Sequence, residues 1–170
     1  MNRGRAFAKI NLALVVGPLG PNGKHEVATV FQRVDLADRV AITPGERLSV
    51  RGFPGDTLVR DALTALAASA GAAPRWNAAI TKHIPVASGL GGGSSDAATA
   101  LRLANETLDA PLAAPELRRL AAGVGADVPF FLDDGPALGR GDGSELEQLE
   151  LPQDYWVVLV LPKRLSLIHI

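Results

Sequence analysis

Pro85-Val86-Ala87-Ser88-Gly89-Leu90-Gly91-Gly92-Gly93-Ser94-Ser95-Asp96-Ala97-Ala98 joins a strand-like run to a segment of strong helix formers. Four glycines within five residues would waste backbone entropy in a plain connector. They make sense where the backbone must approach a ligand closely. Successive N–H groups there, with the helix N-terminus behind them, form a cradle for phosphate oxygens. Ser94 and Ser95 add hydroxyls for a phosphate or a bound Mg²⁺, or they cap the helix. The alternative for a glycine cluster taken alone is a flexible turn capped by serine. Other glycine motifs fit worse. A P-loop needs Lys after the last glycine, where Ser94 stands. A dinucleotide fingerprint needs glycine at that same position. A nucleophile elbow needs glycine where Asp96 stands.

Outward from this loop, Trp76 to Thr81 reads as a strand before it. A helix is predicted from Ser94 or Ser95 to about Leu108. Upstream, Ala6 to Val16 reads as a strand with Ile10, Leu12 and Leu14 on one face and Lys9 and Asn11 on the other. Pro21-Asn22-Gly23 marks a turn. Strands follow at Ala28 to Val34, Asp38 to Thr43 and near Leu48 to Gly52. Asp56 is placed to cap a helix from Thr57 to about Ala70, with apolar positions at three- and four-residue steps. A further helix spans about Ala114 to Ala122, with Pro115 in its first turn. Trp156 to Leu161 is apolar between prolines and predicts a buried strand. Strands first, then helices among strands, argue for an α+β fold: a mixed sheet with helices on one face.

The chain has 170 residues, 18 Gly, 12 Pro and no Cys. That length suits one domain with a real core. Apolar residues at 47% and a net charge of −1 exclude a disordered polyelectrolyte. The same charge, with no basic stripe, argues against a nucleic-acid partner and against an anionic membrane. Without cysteine there is no disulfide, thiolate metal site or thiol nucleophile; the cytoplasm is the default compartment. Arg3 and Arg5 precede a partly apolar stretch, but Lys9 and Asn11 interrupt it and no cleavage site follows, so it does not read as a signal peptide. No apolar run approaches the roughly 18 residues of a membrane span.

The loop Pro85 to Ser95, with Asp96-Ala97-Ala98 behind it, resembles the ATP-binding signature of the GHMP kinase superfamily. Ala8-Lys9-Ile10-Asn11-Leu12 and Gly125-Ala126-Asp127-Val128-Pro129-Phe130-Phe131-Leu132 resemble two further segments of that family, in family order. The long glycine run most resembles the 4-diphosphocytidyl-2-C-methyl-D-erythritol kinases; mevalonate and homoserine kinases have a shorter one. The resemblance covers about residues 6 to 162. It implies a GHMP N-terminal domain, like ribosomal protein S5 domain 2. It also implies ATP-dependent phosphorylation of the 2-hydroxyl of that small-molecule substrate, in the non-mevalonate route to isoprenoids.

Residue by residue, the resemblance implies Asp127 as catalytic base and Lys9 as its cationic partner. Pro85, Val86, Ala87, Ser88, Gly89, Leu90, Gly91, Gly92, Gly93, Ser94 and Ser95 would bind ATP, and Asn11 and His25 the substrate. Taken alone, Asp127 could cap a short turn, Lys9 and Asn11 could be solvent-facing strand residues, and Lys82 either reaches a phosphate or is solvated. His25, His83 and His169 make no metal pattern, so any metal is Mg²⁺ arriving with ATP.

Two departures stand out. Asn22 and Lys24 replace the family's Asp and Tyr beside His25, removing an aromatic partner for cytosine. The resemblance ends at Pro162, and Leu165 to Ile170 reads as a frame change or translated adapter. The expectation is an N-terminal domain over residues 1–162, a non-native tail over 163–170, no C-terminal GHMP domain, and little or no turnover by this chain alone. The rivals are another superfamily kinase, a non-catalytic nucleotide-binding remnant, and a nucleic-acid-binding domain of S5-like fold. Oligomeric state is not legible.

Overall fold

Alternation builds the centre of the sheet. Val40 and Ile42, Ala78 and Ile80 turn inward and are buried, while Arg39, Ala41, Ala79 and Thr81 face the other way. The computed structural model describes residues 1–161 apart from Pro21, Asn22, Lys24, Pro54 and Asp56. The predicted Asp56 cap, the Asn22 and Lys24 departures and the tail from Pro162 lie outside the described residues.

Strand β1 (Asn2–Leu19) pairs antiparallel with β2 (His25–Pro44) along a long hairpin. The other edge of β2 is shared. One end pairs antiparallel with β4 (Trp76–Thr81), the other with β5 (Ala137–Arg140). Strand β3 (Ser49–Arg51) lies parallel to β4, and β6 (Glu145–Gln148) closes the far edge against β5. One parallel pair among antiparallel ones makes the sheet mixed, as expected.

Helices α1 (Leu58–Ser69), α2 (Gly92–Asn105) and α3 (Ala114–Val124) cover the inward face. Helix α1 buries Val59, Ala62, Leu63, Leu66 and Ala67, one apolar stripe at helical spacing. Helix α2 is the central one, packed on α1 and on both long strands. Its small residues let it come close: a Cβ added to Gly4 of β1 would lie 2.9 Å from the Thr99 methyl. At the start of α3 the Glu116 carboxylate accepts the Ala113 N–H at 3.3 Å. Trp76 is buried, and its indole donates to the Thr107 hydroxyl at 2.9 Å.

Several expectations change. The two strands predicted at Ala28 to Val34 and Asp38 to Thr43 are one, because the β1 partner continues past Asp35 and Leu36 across a register shift. Helix α2 starts at Gly92, not at the serines, since Gly91 takes the left-handed conformation (φ +70°) and turns the chain into the helix. It ends at Asn105 rather than Leu108. Strands β5 and β6 were not read from sequence. Leu12 and Leu14 sit on the outer arm of the hairpin and are exposed. The buried strand predicted at Trp156 to Leu161 is absent. Trp156 is 97% exposed, and only Leu159 packs inward, near Ile10 and Ile84. Apolar composition suggested burial, but a strand also needs a neighbour to take its N–H and C=O groups.

Candidate active site

The glycine loop shapes a cavity of about 310 Å³, closed on the other side by Phe53, Thr57 and Leu58. Every residue from Pro85 to Ser94 lines it. Ser95 does not. Its side chain is buried on the opposite side of α2, and its N–H donates to Gly91 O at 2.9 Å, the first bond of the helix. The N–H groups of Gly92, Gly93 and Ser94 therefore precede any intrahelical acceptor. Glycine here is a matter of space: a Cβ on Gly92 would lie 3.0 Å from Ile84 Cγ2 and 3.2 Å from Lys82 Nζ. Ala87 is the one non-glycine described residue with positive φ (56°), so the loop is strained where it passes the cavity. These features fit an anion such as a nucleotide phosphate.

Lys9 is buried beside this loop. Its backbone N–H donates to Leu90 O at 2.9 Å, which ties β1 to the loop. Its Nζ donates to Asn11 Oδ1 at 2.8 Å, lies 3.4 Å from Asp127 Oδ2 and stands 5.4 Å from the Phe31 ring centroid. Asn11 Nδ2 donates to Thr29 Oγ1 at 2.6 Å, and that hydroxyl donates to Ala13 O at 2.8 Å. Lys9 and Asn11 are thus inward members of a polar chain, not solvent-facing strand residues. Thr29 was not read from sequence.

Asp127 sits in the turn between α3 and the 3₁₀ turn Pro129–Leu132. The residue capping that turn is Val128, so Asp127 is not spent as a cap. Arg33 holds the turn: its guanidinium donates to Phe130 O and Asp133 O, and to Asp134 Oδ1 at 2.8 Å. Arg118 grips the Asp133 carboxylate with two bonds, at 2.8 and 2.6 Å.

Lys82 is neither solvated nor free. Its ammonium donates to Asp38 and, at 2.8 Å, to Asp96, both fully buried. Asp38 also accepts the N–H groups of His83 and Ile84, at the start of the loop. Burial is the largest single influence on Lys82 and lowers its pKa. The hydrogen bonds and charges of the two carboxylates together outweigh it, and the pKa stands above its ordinary value.

His25 is not brought to Lys9 and Asp127. It faces Leu19 near the hairpin end, with its Nδ1 2.9 Å from Gly17 O. Phe31, the partner of Asn11, is six residues along β2, roughly 20 Å away at the strand rise. Among the described residues no group of three His, Asp or Glu is placed to hold a metal ion, and no helix is long and apolar enough to cross a membrane.

Residues 57–135 match the family described as GHMP kinases N terminal domain. The chain is 42% identical to a 4-diphosphocytidyl-2-C-methyl-D-erythritol kinase of Geobacter sulfurreducens, over 93% of this chain and 60% of that protein. It is 46% identical to the protein of the same name from Nocardia farcinica, over 84% of this chain and 49% of that one. A crystal structure of 4-(cytidine 5'-diphospho)-2C-methyl-D-erythritol kinase superposes with a TM-score of 0.78 at 38% identity, covering 89% of this chain and 56% of that one. A mevalonate kinase structure, at 13% identity and a TM-score of 0.66, shares the fold. The chain thus spans about half to three fifths of the length of the relatives it matches. Fold, motif order and these likenesses agree: the chain carries a GHMP kinase N-terminal domain.

Proposed function

We propose that this domain binds ATP and supplies the catalytic pair for phosphorylating the 2-hydroxyl of 4-diphosphocytidyl-2-C-methyl-D-erythritol, a step of the non-mevalonate isoprenoid route, in the cytoplasm. The Lys9–Asp127 contact at 3.4 Å, beside the glycine loop, carries the reading. Phosphoryl transfer asks mainly for positioning and charge neutralisation. Asp127 takes the proton of the 2-hydroxyl as that oxygen bonds to the γ-phosphorus and the bond to the β,γ-bridging oxygen breaks. Lys9 sets a positive charge beside Asp127 and faces the charge on the transferring group. Asn11, anchored by Thr29, holds the Lys9 ammonium in place.

The free N–H groups of Gly92, Gly93 and Ser94 hold the ATP phosphates, with Pro85 to Gly91 forming the wall. The Ser94 hydroxyl would be at hand for a Mg²⁺ bound with the nucleotide chiefly through phosphate and water, which would supply neutralisation of phosphate charge. Ser95 acts through the helix turn rather than by touching the nucleotide. His25 serves the cytidine end of a substrate laid along the hairpin.

The relatives' names favour this substrate over mevalonate or homoserine. The second reading is a non-catalytic nucleotide-binding domain, for which the glycine-loop cavity alone would suffice. The test titrates the chain with ATP, then supplies the remaining C-terminal part of the Geobacter relative in trans and follows ADP release. Turnover with the cytidyl substrate that is lost in Asp127→Asn supports the kinase. ATP binding without turnover in that mixture selects the second reading.

A further inference from the structure

On the side of α2 away from the glycine loop lies a second cavity, of about 280 Å³. Three guanidinium groups reach it from three elements: Arg5 of β1, Arg33 of β2 and Arg102 of α2. Ser95 and Thr99, one helical turn apart, present their buried side chains to it on the face that also carries Arg102. Phe7 and Phe131 supply apolar wall.

We propose that this cavity is a second anion site, which takes a small phosphate-class anion such as inorganic phosphate, pyrophosphate or a phosphate ester. Guanidinium forks match phosphate oxygens two bonds at a time, and hydroxyls complete the set. The counter-ions now serving these arginines face solvent, Asp134 from the lining itself and Asp35 from outside it. Asp35 pairs with Arg5 at 2.8 Å and Asp134 with Arg33 at 2.8 Å, yet both carboxylates are in solvent. Glu106 reaches Arg102 only at 3.5 Å. Exposed pairs of this kind are weak and screened, and an anion bound inside the ring displaces them. Asp134 is the one carboxylate in the lining, and its side chain is fully turned to solvent. Arg33 Nε is buried without a hydrogen-bond partner. Burial, helped by the nearby Arg102, holds the Arg33 pKa below its ordinary value against the pull of Asp134 and Asp133.

The site is wired to the candidate active site. Arg33 anchors the turn that follows Asp127 through Phe130 O and Asp133 O. Phe131 lies between the two cavities, since a Cβ on Gly91 would touch its ring at 2.9 Å. An anion that draws Arg33 away from Asp134 therefore loads the turn bearing Asp127.

The experiment titrates the 170-residue chain with pyrophosphate and with inorganic phosphate at constant ionic strength, by calorimetry and thermal shift. The double variant Arg5→Met/Arg102→Met is run beside it, with Arg102→Lys as a milder companion. The expected result is saturable pyrophosphate binding, at least tenfold weaker in the double variant and intermediate in Arg102→Lys, while ATP affinity at the glycine loop stays within twofold. Inorganic phosphate matching pyrophosphate supports a single-phosphate site; pyrophosphate alone supports a diphosphate or ester. Three results overturn the proposal: no saturable binding of either anion, equal affinity in wild type and Arg102→Lys, or stoichiometric displacement of pyrophosphate by ATP. The last would assign the anion to the glycine loop.

Discussion

Gly91 lies flat against the stem of Lys9. A Cβ at Gly91 would come within 2.9 Å of Lys9 Cγ, and φ there is +70°. The glycine is therefore needed both for its backbone conformation and for the lysine it leaves room for. Gly91→Ala should cost about 1–2 kcal/mol for the left-handed residue alone, with the clash added, and should push Lys9 off Asp127. ATP affinity should fall at least tenfold. Denaturant melts and nucleotide titration of the variant check both; unchanged ATP binding would remove Gly91 from the site.

Lys82 bridges two buried carboxylates, so its loss removes the ammonium they share. Lys82→Met should destabilise the fold by about 3–5 kcal/mol. The pH dependence has a definite sign. The folded-state pKa is raised above 10.5, so the stabilisation is complete below about pH 10.5 and is lost as pH rises through the higher folded value. The stability gap between wild type and variant should narrow in strongly alkaline buffer. A gap independent of pH from 8 to beyond that range would show that Lys82 acts by packing alone.

Lys9→Met and Asp127→Asn should each lower turnover in the complemented enzyme by roughly 10²–10⁴, with ATP affinity changed only a few-fold. Single-turnover kinetics separates the two effects. A variant that loses ATP binding and turnover in equal measure would place its residue in the nucleotide pocket instead.

The two tryptophans stand in opposite environments: Trp76 is 4% exposed and Trp156 is 97% exposed. Wild-type emission should contain a red, iodide-quenchable part that Trp156→Phe removes, leaving a blue, protected one. Stability should move by less than about 0.5 kcal/mol. If iodide fails to quench Trp156, the segment is covered in solution.

The loop, the strand before it and the helix behind it were legible because glycine, alternation and helical spacing are local signals. The link between Lys9 and Asp127 came from motif resemblance, since no local pattern joins residues so far apart in sequence. Strands β5 and β6 were missed because Ala137–Arg140 and Glu145–Gln148 are only four residues each, too short to show a period, with pairing supplied by β2 to β5 and by β5 to β6. Trp156 to Leu161 failed the other way: its composition was apolar, but pairing is a property of neighbours. The buried charges had a signal that went unread. Asp38 keeps the alternation phase of Val40 and Ile42, and Lys82 that of Ala78 and Ile80. Charged residues in core phase on adjacent strands are candidates for one another.

Asp38 and Lys82 are 44 residues apart in the chain. On the ribosome, at about 5–20 residues per second, the acid therefore waits roughly 2–9 s for its cation. During that interval the β1–β2 hairpin carries a carboxylate it cannot bury cheaply, so its inner face is held open until β4 arrives. On that count the ion pair should act as a timer against premature collapse. Nascent chains stalled just before Lys82 should be protease-sensitive across β2, and Asp38→Asn should make the same stalled chains more resistant; equal digestion of the two would dismiss the timer.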